Sequence, residues 1–289
     1  MDRALREALA GLARTGGPAL RPTRQLAGGE VGAIALEDAG GRRYVAKVLP
    51  GDRNAGVALA DRLTLLDSLR DGGYPLPRYV AAGWYGGHVL AVQEWADGRQ
   101  RDDLDRSMVE ALVELARRHH AGAGRDGAAF RAWLVGSLRT GCDGYCLHAP
   151  LERHDARTRL LLGRVREIGR RLNPVDVPAG GIVHRDFHHR NVLWDDGRVS
   201  AVVDWEDSGP GDPAFDLVTL AFGLDAARTT AEARDLPWQA AAATPPEMLR
   251  AYAAHMALRQ VDWSIRHRSA ADVERWLAFS ERTLDRLGG

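Results

Sequence analysis

Residues 183–204 read VHRDFHHRNVLWDDGRVSAVVD, and this stretch decides the fold. Asp195-Asp196-Gly197-Arg198 is a strong two-residue turn signal between the apolar runs 191–194 and 199–205. A hairpin closed by residues 195 and 198 places position 191 opposite 202. Asn191 and Asp204 then become diagonal neighbours on one face, about 7–8 Å apart at the backbone. Two side-chain oxygens converge at the open end of the hairpin. Mg²⁺, a hard cation, takes such oxygens, commonly one or two from protein and the rest from phosphates and water. Asp186 lies five residues before Asn191, on the loop feeding the hairpin. A carboxylate there can orient an incoming hydroxyl and accept its proton. In the same loop, His184 is expected to hold backbone by hydrogen bonds. Taken singly each of these residues is an ordinary cap, turn or loop residue; the weight comes from their grouping on one hairpin and its loop.

A second signal lies upstream. Of 39 basic side chains a single one, Lys47, is lysine; the others are arginine. Where arginine has replaced lysine nearly everywhere, the site that keeps lysine is one that needs a compact ammonium rather than a planar guanidinium. In Arg43-Tyr44-Val45-Ala46-Lys47-Val48-Leu49, strand alternation puts Lys47 on the face of Val45 and Leu49. An ammonium held on such a face requires partners.

The surrounding chain reads as strand-rich, then helical. Residues 2–14 are expected to be a helix; 20–26, 31–36 and 43–49 strands; 57–69 a helix; 79–84 and 88–94 strands joined through Gly86-Gly87. Beyond Trp95, residues 107–120, 154–172, 246–266 and 270–287 have helical spacing. A short buried strand spans 180–186, and Asp212-Pro213 opens another helix as N-cap and first helical residue. The expected class is α+β with two lobes: an N-terminal lobe over 1–94, a hinge over 95–98, and a C-terminal lobe over 99–289.

Composition narrows the function. The chain has 289 residues, enough for a sizeable core, and its 39 basic and 39 acidic side chains cancel. A neutral total gives no electrostatic footprint for nucleic acid or an anionic membrane. No run of about 18 apolar residues exists to span a bilayer, and the amphipathic N-terminal segment lacks the apolar core of a secretory signal. The expected location is cytoplasmic. Two cysteines, Cys142 and Cys146, are too few for a zinc site and read as reduced thiols.

VHRDFHHRNVLW (183–194) followed by VVDWEDSGPGDPAFDL (202–217) resembles the aminoglycoside phosphotransferase family, a branch of the protein-kinase-like fold. The shared pattern is His-x-Asp, an Asn five residues later, an Asp-Trp pair, Gly-Asp-Pro and Asp-Leu. The resemblance implies a kinase that moves the γ-phosphate of ATP or GTP to a hydroxyl. It implies Asp186 as base, Asn191 and Asp204 on Mg²⁺, and Lys47 on the α- and β-phosphates. Lys47 then needs an acid on the following helix; that helix has no Glu between Val57 and Leu69, which leaves Asp61 as the expected partner, with Asp67 the other acid there. Glu94 and Ala96 occupy the segment whose backbone would bond adenine, and Ala27–Gly32 the loop that would cover the phosphates. Asp216 is either the family's brace for the catalytic loop or an acid in a first helical turn. Glu206 is either a further metal contact or an exposed turn acid.

Two positions depart from the family pattern. Arg185 stands where many members have Gly, and His189-Arg190 where Pro-Gly is common. The acceptor implied is a cationic antibiotic, an aminoglycoside or basic peptide, taken up by acidic and aromatic surfaces; Asp102, Asp103 and Asp105, with Trp238, Asp262, Trp263 and Trp276, are residues of that kind. The same motifs occur in choline, homoserine and sugar kinases, which makes a metabolite kinase the alternative. A nucleotide-binding pseudokinase is the third reading, opposed by the intact Lys47, Asp186, Asn191 and Asp204.

Overall fold

The computed structural model describes residues 3–26, 32–120 and 127–288. The chain divides into two compact units: Met1–Arg101 with Arg190–Ser208, and Asp102–His189 with Gly209–Gly289. The first begins with α1 (Arg3–Arg14). It continues through β1 (Arg21–Gln25), β2 (Ile34–Glu37), β3 (Arg43–Leu49), α2 (Arg53–Thr64), α3 (Leu66–Asp71), β4 (Tyr79–Tyr85) and β5 (His88–Glu94). The second receives α4 (Arg106–Arg117), α5 (Ala128–Arg139), α6 (His148–His154), α7 (Ala156–Arg171) and β6 (Gly181–Val183). The chain returns to the first for β7 (Val192–Asp195) and β8 (Arg198–Val202). It ends in the second with β9 (Gly209–Gly211), α8 (Ala214–Asp225), α9 (Ala231–Arg234), α10 (Leu236–Ala240), α11 (Pro246–His267) and α12 (Ala270–Arg286).

In the first unit the five strands form an antiparallel sheet in the order β1-β2-β3-β5-β4. Tyr44 and Ala46 of β3 join Leu36, Leu90 and Val92 in a core shared with Leu5, Ala8, Leu9 and Leu12 of α1. By the period of two, Val45, Lys47 and Leu49 belong to the opposite face. α1 lies against the β4–β5 turn at Gly86, where φ is +57° and a Cβ would stand 2.0 Å from the Glu7 carbonyl oxygen; only glycine permits that approach. The expected helix over 57–69 begins earlier, at Arg53. Asp52 accepts from the Ala55 amide there as N-cap, and the helical run divides at Leu65 into α2 and α3.

β7 and β8 form their own two-stranded ribbon in this unit. Its turn is the expected one, with Asp196 and Gly197 both at positive φ and Asp195 opposite Arg198. The register beyond is not. A bulge between Leu193 and Trp194 pairs Val192 with Val202, so residue 203, not 202, faces Asn191. The Val203 amide donates to the Asn191 carbonyl at 2.9 Å. Trp194 exchanges two backbone bonds with Arg99, each 2.9 Å. The Ser200 hydroxyl donates to the Asp97 carbonyl at 2.6 Å. The segment expected as a hinge is therefore tied to the ribbon as well as to β3, through an Arg43–Asp97 ion pair of 2.8 Å. Packing assigns 95–101 and the ribbon to the sheet's unit, a division that chain order does not display.

The second unit is mainly helical. In it β6 pairs with β9, placing Ile182 opposite Pro210. The Gly-Pro-Gly of β9 reads as a turn in the sequence, and α5 carries little helical periodicity, so neither was expected. α8 starts at Ala214, one residue later than expected, with Pro213 rather than Asp212 as its N-cap; the Asp212 side chain accepts from the Ala214 amide at 3.1 Å. α11 runs through the middle, with Tyr252, His255, Leu258 and Val261 all fully buried. Phe130, Trp133, Phe215, Tyr252 and His255 form an aromatic cluster around it.

His255 carries a pH consequence. The Ser137 hydroxyl donates to the Leu134 carbonyl at 2.7 Å, so the His255 Nδ1 at 2.8 Å from that hydroxyl is the donor. Burial, with the charges of Arg259 and Arg185 nearby, pushes this imidazole well below its ordinary range. The folded protein leaves it neutral while the unfolded chain protonates it near pH 6.5. Its contribution is therefore present above about pH 6.5 and lost as pH falls. The thermal midpoint should drop on acidification from pH 7.5 to 4.5. His255→Gln should flatten that drop by up to about 1.4 kcal/mol per pH unit. Parallel curves for the two proteins would refute it.

Candidate active site

Within the first unit, Lys47 is the centre. Pairing opposite Ala91 fixes its position on β3, and its ammonium bonds Asp204 and, at 3.1 Å, Glu206. Burial alone would depress this lysine; the two carboxylates outweigh it and hold the amine above its ordinary value. Asp204 is 41% exposed at its side chain, whereas Glu206 is 8% exposed. Burial drives the Glu206 carboxyl up to about 7, Lys47 opposing and Asp204 adding to the rise. The Tyr79 hydroxyl donates to Glu206 at 3.3 Å, and Arg62 of α2 holds the Glu206 carbonyl at 3.2 Å.

These contacts correct two expectations. Asp61 is exposed on α2 and is not the partner of Lys47; the carboxylates that face Lys47 come from the segment after β8. Glu206 is no exposed turn acid, and it is the acid that reading the helix for a partner misses. Its only sequence signal is its place two residues after Asp204. Asp67 is paired with Arg70.

The local backbone explains how Asp204 is aimed. Trp205 is fully buried, its Nε1 donating to the Val202 carbonyl at 2.9 Å and its ring edge-on to Tyr74 at 5.6 Å. With Trp205 anchored inward, Asp204 takes a left-handed conformation, φ +74°. This breaks the strand alternation and sets its side chain independently of the ribbon's register. Asn191 is buried at the end of a short 3₁₀ turn, His189–Asn191. Glu94 ends β5 with its carboxylate 2.9 Å from Arg78. Ala96 follows within a segment fastened by the Trp95 indole N–H donating to Asp97 at 2.9 Å. Of the expected phosphate-covering loop, 27–31 lie outside the described residues.

Within the second unit, Asp186 sits on a loop held from two sides. Buried Asp216 accepts from the His184 amide at 2.7 Å, the Arg185 amide at 3.0 Å and His119 Nδ1 at 2.8 Å. Asp216 thus braces this loop. His184 Nδ1 accepts from the Asp186 amide at 3.3 Å, the backbone role expected of it. Asp186 itself is 29% exposed, with Arg259 of α11 at 2.9 Å and His188 at 3.6 Å. Burial works to raise its carboxyl; Arg259 and then His188 outweigh burial and hold it well below the usual carboxylate range. Arg259 carries no sequence signal, being one arginine among many.

The acids expected near an acceptor are largely engaged. Asp103 pairs with Arg228, Asp105 caps α4 by accepting from the Met108 amide at 2.9 Å, and Asp262 is buried against Arg266 and the Leu147 amide. Among the described residues no three His, Cys, Asp or Glu group as a metal site, and no helix is long and apolar enough to cross a membrane. A magnesium–nucleotide site needs fewer protein ligands than that, commonly one or two side-chain oxygens beside phosphates and water.

The model of a family described as phosphotransferase enzymes matches residues 22–255. Two curated relatives match over short segments. Viomycin phosphotransferase of Streptomyces vinaceus is 48% identical over 46 residues, 14% of this chain and 16% of that protein. Hygromycin-B 4-O-kinase of Escherichia coli is 42% identical over 41 residues, 14% of this chain and 12% of that one. A solved thermostable mutant of aminoglycoside phosphotransferase APH(4)-Ia, in ternary complex with AMP-PNP and hygromycin B, superposes with a TM-score of 0.65 at 20% identity, covering 100% of this chain and 99% of that one. The likeness fixes the fold as the α+β, protein-kinase-like fold of those phosphotransferases.

Proposed function

The chain belongs to this phosphotransferase enzyme family, matched over residues 22–255, and from that footing we propose that it is an ATP-dependent O-phosphotransferase acting on an antibiotic, conferring resistance. Acceptors of the aminoglycoside or basic-peptide kind are the leading class. The observation that carries the reading is Lys47: the single lysine of the sequence, on the face opposite α1, bonded to Asp204 and Glu206. A half-buried ammonium between two carboxylates is suited to hand one of them over when phosphates arrive.

The proposed roles follow from the residues. Lys47 binds the nucleotide phosphates and Glu206 keeps its ammonium in place. Glu94 and Ala96 offer backbone groups to the base of ATP, or of GTP. Asn191 and Asp204 would hold Mg²⁺, which when bound neutralises charge on the phosphates. Asp186 receives the acceptor hydroxyl, orients it and takes its proton as the oxygen bonds to the γ-phosphorus.

A second reading, a small-metabolite kinase, draws on one observation: Asp262 is fully buried against Arg266, and the exposed Asp103 and Asp105 are already engaged by Arg228 and the Met108 amide. A coupled ATPase screen against aminoglycosides, cyclic peptide antibiotics, macrolides and amino alcohols separates the two. Phosphorylation of an antibiotic, with raised drug tolerance on expression, is the expected result. Turnover confined to amino alcohols or sugars would transfer the assignment to the second reading.

A further inference from the structure

Arg259 stands four residues along α11 from the buried His255 and reaches the catalytic loop with both ends of its guanidinium. Nη2 lies 2.9 Å from Asp186 Oδ1, and Nη1 donates to the Arg185 carbonyl at 2.9 Å. Its side chain is 20% exposed, and its cation sits 5.1 Å over the Tyr145 ring. A planar fork of this kind fixes direction as well as charge.

The residue between these contacts makes the clamp consequential. Arg185 adopts φ +68°, a conformation strained for a residue with a Cβ. Glycine, common there in the family this chain resembles, takes it freely. An arginine in that conformation persists only when the surroundings hold it. Asp216 holds the amide of Arg185, and Arg259 holds its carbonyl.

We propose that Arg259 is a positioning residue for phosphoryl transfer: it fixes the Asp186 carboxylate by Oδ1 and the preceding peptide by its carbonyl, and so sets the direction in which that carboxylate, with His188 Nε2 3.6 Å from Oδ2, meets the acceptor hydroxyl. This rests on the phosphotransferase reading above. In the step, the acceptor oxygen bonds to the γ-phosphorus. The bond from that phosphorus to the β,γ-bridging oxygen breaks, its electron pair leaving with ADP. The hydroxyl proton passes to the Asp186 carboxylate. A cation on Oδ1 makes Asp186 a weak base, so the proton passes late, and orientation becomes the carboxylate's main contribution. That suits the loose transition state of phosphoryl transfer, in which little nucleophile activation is needed.

The test is a double-mutant cycle of Arg259→Gln and Asp186→Asn, with phosphoryl transfer from Mg-ATP to viomycin, hygromycin B and water as the readout. Arg259→Gln should lower kcat about 30–300-fold with nucleotide KM nearly unchanged, and should add less than about twofold on the Asp186→Asn background. Arg259→Lys should recover only part of the loss, since one ammonium cannot fork to both oxygens. Multiplying effects, or an Arg259→Gln enzyme within about threefold of the parent, would overturn the proposal. A second measurement needs no turnover: the ¹³Cγ resonance of Asp186, followed between about pH 3 and 5.5, below the ordinary histidine range. It should stay flat in the parent and titrate in Arg259→Gln. An identical flat response in both would overturn the clamp. A parent that phosphorylates nothing defeats the phosphotransferase reading instead, and the carbon resonance still decides the pair.

Discussion

Asp186→Ala should lower kcat for phosphoryl transfer by about 10²–10⁴-fold and leave Mg-ATP affinity close to that of the parent. The groups proposed to hold nucleotide, Lys47, Asn191 and Asp204, belong to the first compact unit, and Asp186 to the second. Removing the carboxylate leaves Arg259 bonded to the Arg185 carbonyl, and Asp216 still grips the amides of His184 and Arg185. The loop therefore keeps its supports. Asp186→Asn keeps an oxygen able to orient a hydroxyl and should retain more activity than the alanine variant. Steady-state kinetics and calorimetric titration with a nonhydrolysable ATP analogue check both statements. An alanine variant with near-parental turnover sinks the assignment of Asp186 as base.

Lys47→Met should lower kcat/KM about 10²–10³-fold and also destabilise the protein. The methionine fills the space of the lysine stem but leaves Asp204 and Glu206 facing each other without a cation. Glu206 is buried and Asp204 partly exposed, so the cost falls between that of a surface pair and a buried one, about 2 kcal/mol. Lys47→Met/Glu206→Gln should regain most of that stability and none of the activity. Asp61→Asn should match the parent in both, because Asp61 is exposed on α2. Denaturant midpoints and kinetics on the same four proteins decide the matter. A double variant no more stable than Lys47→Met would mean that Glu206 is not charged against Lys47 in the folded state.

Much of this was legible in the chain. The lone lysine announced itself through composition, and the turn Asp195–Arg198 through its residues. The order of strand-rich then helical segments gave the class. What escaped has physical causes. The ribbon's register slips because Trp194 is bonded on its far edge to Arg99, and no local residue signals the bulge. A charged residue after a strand is usually solvated, so the burial of Glu206 has no local signal; Trp205 pulls the segment inward and the acid follows. Analogy with a helix acid points to Asp61, whereas which helical residue faces β3 depends on how α2 packs, a tertiary fact. Arg259 was invisible because one arginine among many is marked only by where α11 places it.

The left-handed backbone of Asp204 has an evolutionary reading. A residue at φ +74° is readily accepted only if it is Gly, Asn or Asp. Glutamate, the chemically nearest acid, would meet strain there before its extra methylene mattered. A lineage shedding catalysis while keeping its fold would therefore drift at this position to asparagine or glycine, each a single-base change from aspartate. Decayed copies of this gene should carry those two residues far more often than glutamate or alanine, and position 204 alone would then tell a silent relative from a working one.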